Sequence, residues 1–393
     1  MTLEFNINSL SFIFLIVFLV VFVIQLVYYW GLFSKLAFHK NKKKDEDLGE
    51  LEPVSVVLCT KNAYENLRKL LPLLLEQEYP NFEIVVVNDS SDVIRESDES
   101  EEYLKDMARN DSRVKPVLLR QSLNFFHGKK FPLSMGIKSA SHDLLILTDT
   151  NCMPTSKLWI REMALSYKKG QEIVLGYSRV KRQKGLLNIL MRYDNMQQGM
   201  MSLSLALAKR PYTGDGNNLS YRKSLFYNTK GFTSHYNISD GEDALFISQA
   251  ATKRNTGVCV DAENTIESTT KATFATWMRR KKRQCATGLL HKSNIKGIIN
   301  IYHISRILFY VSFAALLCLT PAIITPFDSF YYPLALSILF AIRWISQLII
   351  TRATCKRLGE KGLVSGVLLL DPLFTILGIT TAFASLLSKK NTW

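Results

Sequence analysis

Long uncharged apolar runs stand at both ends of this chain, and between them apolar residues come in short blocks separated by polar clusters. Between Glu4 and Lys35 no residue is charged, and the run includes FIFLIVFLVVFVIQLVYYW. That exceeds the ~20 residues a helix needs to cross ~30 Å of hydrocarbon. The run lacks the basic start and small-residue cleavage site of a signal peptide, so it predicts a retained anchor. Three more runs follow: Ile307 to Phe327, Phe330 to Ile350 broken by Arg343, and Leu363 to Ser388 broken by Asp371. The last reads either as a span or as a re-entrant hairpin broken at Asp371-Pro372, so two to three C-terminal transmembrane helices are expected. Arg343 and Asp371 lie at similar depth in antiparallel neighbours, where a lone charge is costly, and are expected to pair.

From Pro53 to about Gly288 the pattern changes to alternating strand-like and helix-like blocks. Val54 to Cys59, Phe82 to Val87, Val114 to Leu119 and Asp143 to Leu147 predict strands; Ala63 to Glu78 and Pro132 to Ala140 predict helices. Continuous β-branched runs interleaved with helices indicate a parallel α/β sheet. Polar clusters directly follow three of the strands: Thr60-Lys61-Asn62, Asn88-Asp89-Ser90-Ser91-Asp92 and Asp149-Thr150-Asn151. Any one of these also suits a turn or a helix cap. Ligands of open parallel sheets bind beyond the carboxyl ends of the strands, and three clusters on one rim outline a site. The first strand is followed by neither GxGxxG nor GxxxxGK[ST], which speaks against a dinucleotide fold and a P-loop. Arg95 to Asp111 has no apolar face and reads as solvated.

Charge narrows the partners. Lys and Arg number 49 against 34 Asp and Glu, a formal net charge of +15, which favours anionic partners. These cations collect at membrane edges: Lys35, Lys40, Lys42, Lys43 and Lys44 follow the first run, and Arg352, Lys356, Arg357 and Lys361 separate the last two. By the positive-inside rule the intervening domain is cytoplasmic, on the inner (cytoplasmic) membrane, with TPFDSFYY outside; Lys389 and Lys390 then fall outside, against the rule. Tyr28, Tyr29 and Trp30 are expected at the inner interface. Nucleic acid is not an expected partner, because the cations do not interleave with aromatics. Six cysteines without a CxxC pair suggest buried free thiols in a reducing compartment.

The ordered pieces PVSVVLCTKNAYENL, QEYPNFEIVVVNDSSD, HGKKFPLSMGIKSASHDLLILTDTNCMP, GDGNNLSYRKSLF, DGEDALF and TWMRRKKRQCATG resemble those of a family 2 glycosyltransferase, membrane-anchored bacterial type. The resemblance implies an α/β GT-A fold, doubly wound and nucleotide-diphospho-sugar transferase-like. It also implies a nucleotide-sugar donor held by Thr60, Asn62, Glu65, Asp89, Lys129, Asp149 and Arg283, with Asp92 a weaker candidate. Asp149-Thr150-Asn151 stands at the DxD position, where Mg²⁺ or Mn²⁺ neutralises the leaving diphosphate; Asn151 supplies an amide oxygen where the family has a second carboxylate. Gly241-Glu242-Asp243 matches the ED motif, with Asp243 as general base and Glu242 orienting it or the acceptor. The QxxRW-like segment is Arg280-Lys281-Lys282-Arg283-Gln284, which keeps Arg283 but lacks the aromatic that processive synthases hold beside the acceptor sugar. Arg279 to Arg283 also suit anionic lipid.

The expected organisation is an anchor (1–34), a charged linker (35–52), a GT-A domain (53–288), an interfacial segment (289–305) and a C-terminal membrane region (306–393). The expected activity is metal-dependent, inverting, hexosyltransferase-like transfer to a lipid-linked or membrane-proximal acceptor in cell-envelope polysaccharide or glycolipid synthesis. Two alternatives stay open, a polysaccharide synthase and a degenerate scaffold that binds a nucleotide sugar without turnover.

Overall fold

The computed structural model describes residues 7–40, 51–89, 99–119, 128–236, 238, 241–262, 265–269, 273–319 and 328–387. The β-branched run after Pro53 forms β1 (Val54–Thr60), flanked by β2 (Phe82–Asp89) and β4 (Leu144–Asp149), with β3 (Val114–Leu119) outside β2. These four strands are parallel. Both faces of the sheet are covered, so β1 and β2 are buried almost throughout and need no alternation of apolar and polar residues. Between the central strands and the far edge, β8 (Leu219–Arg222) runs antiparallel, beside β6 (Ile173–Leu175) and β9 (Thr256–Val258). A second, three-stranded sheet joins β5 (Cys152–Pro154), β10 (Ile266–Ser268) and β7 (Ser178–Val180).

The helix after β1, Tyr64–Leu75, buries Leu67, Leu70, Leu71 and Leu74 against one face. On the other face the helix Lys130–Ser139 comes very close: a Cβ at Gly136 would sit 2.7 Å from Val57 and 2.8 Å from Val87. The 22-residue helix Leu186–Leu207 is buried along most of its length, because it lies between the sheet and the apolar helices. One core therefore runs from Val57, Val85 and Leu145 in the sheet, through Tyr193, Met196 and Met200, to Tyr29, Ile350 and Phe374.

Among the described residues four helices are long and apolar enough to cross a membrane: Ser11–Ala37, Ser293–Leu319, Tyr332–Leu358 and Val364–Thr381. Asp371-Pro372 does not break the last one, which is helical from Val367 to Leu387, so three such helices follow the domain. The first changes to a wider π-turn over Val27–Phe33. Tyr29 is fully buried there and faces the bundle, whereas Trp30 is half exposed.

Arg343 meets Asp371 at 3.0 Å. Its guanidinium also donates to Gln25 Oε1 (3.1 Å), Tyr29 Oη (3.2 Å), Tyr310 Oη (3.3 Å) and Gln347 Oε1 (2.6 Å), joining all four helices. Arg306, buried in the second helix, reaches the other Asp371 oxygen at 3.6 Å. One carboxylate thus serves two guanidinium groups.

Candidate active site

The site forms where the parallel strands end. Their register sets Thr60 beside Asn88 and Cys59 beside Asp149, so the polar ends share one rim. The Thr60 hydroxyl is buried and has no hydrogen-bond partner among the described residues, the condition of a group that awaits a ligand. Asp89 closes β2 3.8 Å from Lys61 Nζ. Asn62 takes a positive φ of 50°, which Asn tolerates, and turns the chain into the helix that exposes Glu65 in its first turn. Asp92 lies outside the described residues.

Lys129 caps the approach to the helix Lys130–Ser139, and its ammonium pairs with Asp149 Oδ2. Burial disfavours the charged lysine, yet Asp149, with Asp243 beyond it, outweighs that cost and holds its pKa above the ordinary value. The other Asp149 oxygen accepts the Thr150 backbone N–H at 2.8 Å. Asn151 Oδ1 accepts the Cys152 thiol at 3.2 Å. One carboxylate and one amide oxygen suit a divalent cation whose remaining ligands are diphosphate oxygens and water, the common arrangement for Mg²⁺ at nucleotides. Among the described residues no group of three His, Cys, Asp or Glu is assembled for a closed protein cage.

Across the rim, Gly241 (φ 82°) turns the chain into the helix Glu242–Ala250 and puts Glu242 and Asp243 in its first turn. The Asp243 carboxyl rests on the backbone of Gly216, where a Cβ would fall 1.7 Å from Oδ2, so only glycine fits. Burial pushes the Asp243 pKa well above the carboxylate range; Glu242, Asp215 and Asp149 add to the shift and Lys129 opposes it. Gly241 in turn leans on Thr287 of the helix Phe274–Gly288, whose hydroxyl donates to the Arg283 carbonyl at 3.1 Å. Arg283 is thereby one helical turn from the Gly241 contact, and its side chain is exposed. Lys281 turns instead toward the helix Leu186–Leu207, where it and Trp277 Nε1 hold the Asp194 carboxylate at 2.6 and 3.3 Å.

Sequence patterning leaves Lys130, Ser178 and Asp215 without roles, although GKK and GDGNN contain two of them. Lys130 is buried and donates to the carbonyls of His235 (2.8 Å) and Ile238, tethering the segment that leads to Gly241. Ser178 donates its N–H (3.0 Å) and hydroxyl (2.5 Å) to Asp215 Oδ2, which pins the GDGNN loop under Asp243. No local signal marks Ser178, because its contact spans 37 residues.

A doubly wound sheet with an acidic rim, a lysine at the DxD carboxylate and four apolar helices defines a membrane-associated glycosyltransferase of the GT-A type. Residues 55–251, half of the chain, match the profile of Glycosyl transferase family 2, and the chain belongs to that family. Over 123 residues it is 28% identical to the poly-beta-1,6-N-acetyl-D-glucosamine synthase of Staphylococcus aureus (strain COL), a match covering 31% of this chain and 27% of that protein. An uncharacterized glycosyltransferase of Haemophilus influenzae is 25% identical over 120 residues, 30% of this chain and 34% of that one. The mannosyltransferase PcManGT of Pyrobaculum calidifontis, solved in complex with GDP-Man and Mn²⁺, superposes with a TM-score of 0.53 at 16% identity, covering 88% of this chain and 98% of its own. That likeness extends the shared fold beyond the 55–251 region.

Proposed function

We propose that this enzyme transfers a sugar, with inversion, from a nucleotide-diphosphate donor to a lipid-linked or membrane-proximal acceptor, its catalytic domain on the cytoplasmic side of the inner membrane. The observation that carries the reading is the juxtaposition of two differently tuned groups: the Lys129–Asp149 pair at the strand ends and Asp243 facing it from Gly216. Thr60, Asn62 and Asp89 bind the nucleoside; Lys129 and Arg283 meet the diphosphate. Asp149 and Asn151 would hold Mg²⁺ or Mn²⁺, which when bound neutralises charge developing on the leaving diphosphate. Asp243 takes the proton of the acceptor hydroxyl as the bond to the anomeric carbon forms, and attack opposite the leaving group inverts the configuration. Glu242 orients Asp243.

The shared core, which seats the cleft-bearing domain directly on the apolar helices, supports a membrane-proximal acceptor. Exposed Arg279, Arg280 and Lys282 together with exposed Phe274 suit the helix Phe274–Gly288 to a surface of anionic lipid. A polysaccharide synthase is the second reading, favoured by the name of the staphylococcal relative, of whose length the match spans about a quarter. Gln284 at the aromatic position of the motif weighs against processive synthesis.

The test is a turnover screen of the purified full chain with a panel of nucleotide sugars and extracted membrane lipids. Donor-dependent release of nucleoside diphosphate, with labelled sugar recovered in the lipid fraction, is expected. Asp149→Ala and EDTA should each abolish it, and Asn151→Asp should tighten activation by Mg²⁺ or Mn²⁺. Transfer that survives EDTA at full rate removes the metal from the scheme; sugar binding without release in any condition leaves a scaffold.

A further inference from the structure

The loop joining the last two membrane helices enters the catalytic domain. Gly359 and Gly362 take φ of 72° and 74° and turn the chain there, and Glu360 between them is buried. Arg192 of the helix Leu186–Leu207 donates to Glu360 Oε2 and to the Lys361 carbonyl, both at 2.7 Å. Tyr177 Oη donates to Glu360 Oε1 at 2.9 Å. The Tyr177 ring is clamped from behind by Gly199, where a Cβ would come within 2.6 Å of it. Asn195 Nδ2 then donates to both Tyr177 Oη (2.9 Å) and the Ser178 carbonyl (2.8 Å). Ser178 holds Asp215, and the next residue, Gly216, carries Asp243. An unbroken hydrogen-bonded path therefore runs from a membrane loop to the floor beneath the carboxylate of the ED motif.

A buried ion pair contributes little to stability compared with apolar residues of the same volume, and where it is retained its geometric specificity is the more telling property. Arg192 and Glu360 have side-chain exposures of 4% and 1%, and each also bonds a neighbour that fixes its direction. Tyr177 cannot swing away, with Gly199 on one side and Glu360 on its hydroxyl. Ser178, which is also laddered to Ile266 in β10, and with it the Asp215-Gly216 loop, is thus connected to Glu360 through Asn195 and Tyr177.

We propose that Glu360 is a positioning residue for sugar transfer: the Glu360–Arg192–Tyr177 junction sets the Ser178–Asp215–Gly216 loop under Asp243, so that seating the domain on its membrane helices aligns the general base. This rests on the reading of Asp243 as that base. The junction touches neither the strand ends nor Lys129, so it governs the chemical step and leaves donor binding alone.

The experiment uses the full chain in detergent or nanodiscs, with the donor and acceptor found by the lipid screen. Tyr177→Phe removes one hydroxyl and keeps the ring on Gly199, so it is the variant expected to fold. Its kcat should fall about tenfold, on the scale of one lost hydrogen bond to a charged group, with the donor Kd unchanged. Hydrogen exchange should quicken in the peptide spanning 214–218 but not in β1 or β4. Glu360→Gln should lower kcat likewise, and Tyr177→Phe combined with Ser178→Ala should be no slower than the slower single variant, because both cut one path. Wild-type kcat and exchange in Tyr177→Phe, or additive losses in the double variant, overturn the proposal. Asp243→Asn run in parallel separates the two readings: if it transfers normally, the base assignment falls and the positioning role with it; if it is inactive while Tyr177→Phe is normal, only the positioning role falls.

Discussion

Asp243 carries the sharpest expectations at the scale of single residues. Asp243→Asn keeps the size and removes the basicity, so kcat should fall by roughly 10²–10⁴ with donor affinity retained, measured by turnover and by calorimetric donor titration. The same change should raise the melting temperature at neutral pH. A carboxyl whose folded pKa lies above its unfolded value binds more protons when folded, so it favours the fold only at low pH and disfavours it once pH has risen through the folded pKa. Asn carries no such penalty. The rate should accordingly rise with pH through a midpoint above the ordinary carboxylate range. Because Lys129 lowers the Asp243 pKa and Asp215 raises it, Lys129→Met should move that midpoint up and Asp215→Asn should move it down. Equal midpoints in both variants would show that Asp243 does not set the limb.

Among the elements, the helix Lys130–Ser139 is held close against the sheet, and Gly136 permits it. Ala ordinarily improves a helix over Gly by about 1 kcal/mol. Here its methyl would meet Val57 and Val87 at 2.7 and 2.8 Å, on two central strands that are closely packed on both sides. Overpacking of a filled core costs about 1–3 kcal/mol, which outweighs the propensity gain. Gly136→Ala should therefore lower the melting temperature, and because Lys129 stands at the N-terminal end of this helix, it should also weaken donor binding. A variant that is as stable as the parent would show that the helix can move outward.

For the whole molecule, the membrane charges decide whether the bundle assembles. Asp371 answers both Arg343 and Arg306, at 3.0 and 3.6 Å. Asp371→Asn leaves two buried cations without a carboxylate, and removing one partner of a buried pair typically costs about 3–5 kcal/mol. Its yield in detergent extracts should collapse, whereas Arg306→Met, which leaves one cation to one carboxylate, should be extracted near the parental level. An exchange of Arg343 and Asp371 should not restore the yield lost in either single change: an arginine at 371 would face Arg306, and an aspartate at 343 is too short to replace the bonds to Gln25, Tyr29 and Gln347. Fluorescence-detected size exclusion measures all these variants, and recovery in the exchanged pair would mean that Arg306 takes no part.

Hydrophobic periodicity and local chemistry were enough to determine the first three long apolar helices, the parallel strands and the polar strand ends that carry Thr60, Asp89 and Asp149; that the last apolar run is one helix and not a broken hairpin was decided only in the folded chain. Those features depend on residues adjacent in the chain, on run length against membrane thickness and on strands buried on both faces. The Arg343–Asp371 pair was legible for the same reason, since depth in a span can be counted. Contacts between distant segments were not. Antiparallel β8, the second claim of Arg306 on Asp371, the lysine at 130 beneath the segment before the ED motif, and the Glu360–Tyr177 bond across 183 residues arise only when the chain has folded. No periodicity encodes which distant side chains satisfy a buried donor or charge; that is decided by packing, which leaves each such group few partners within reach.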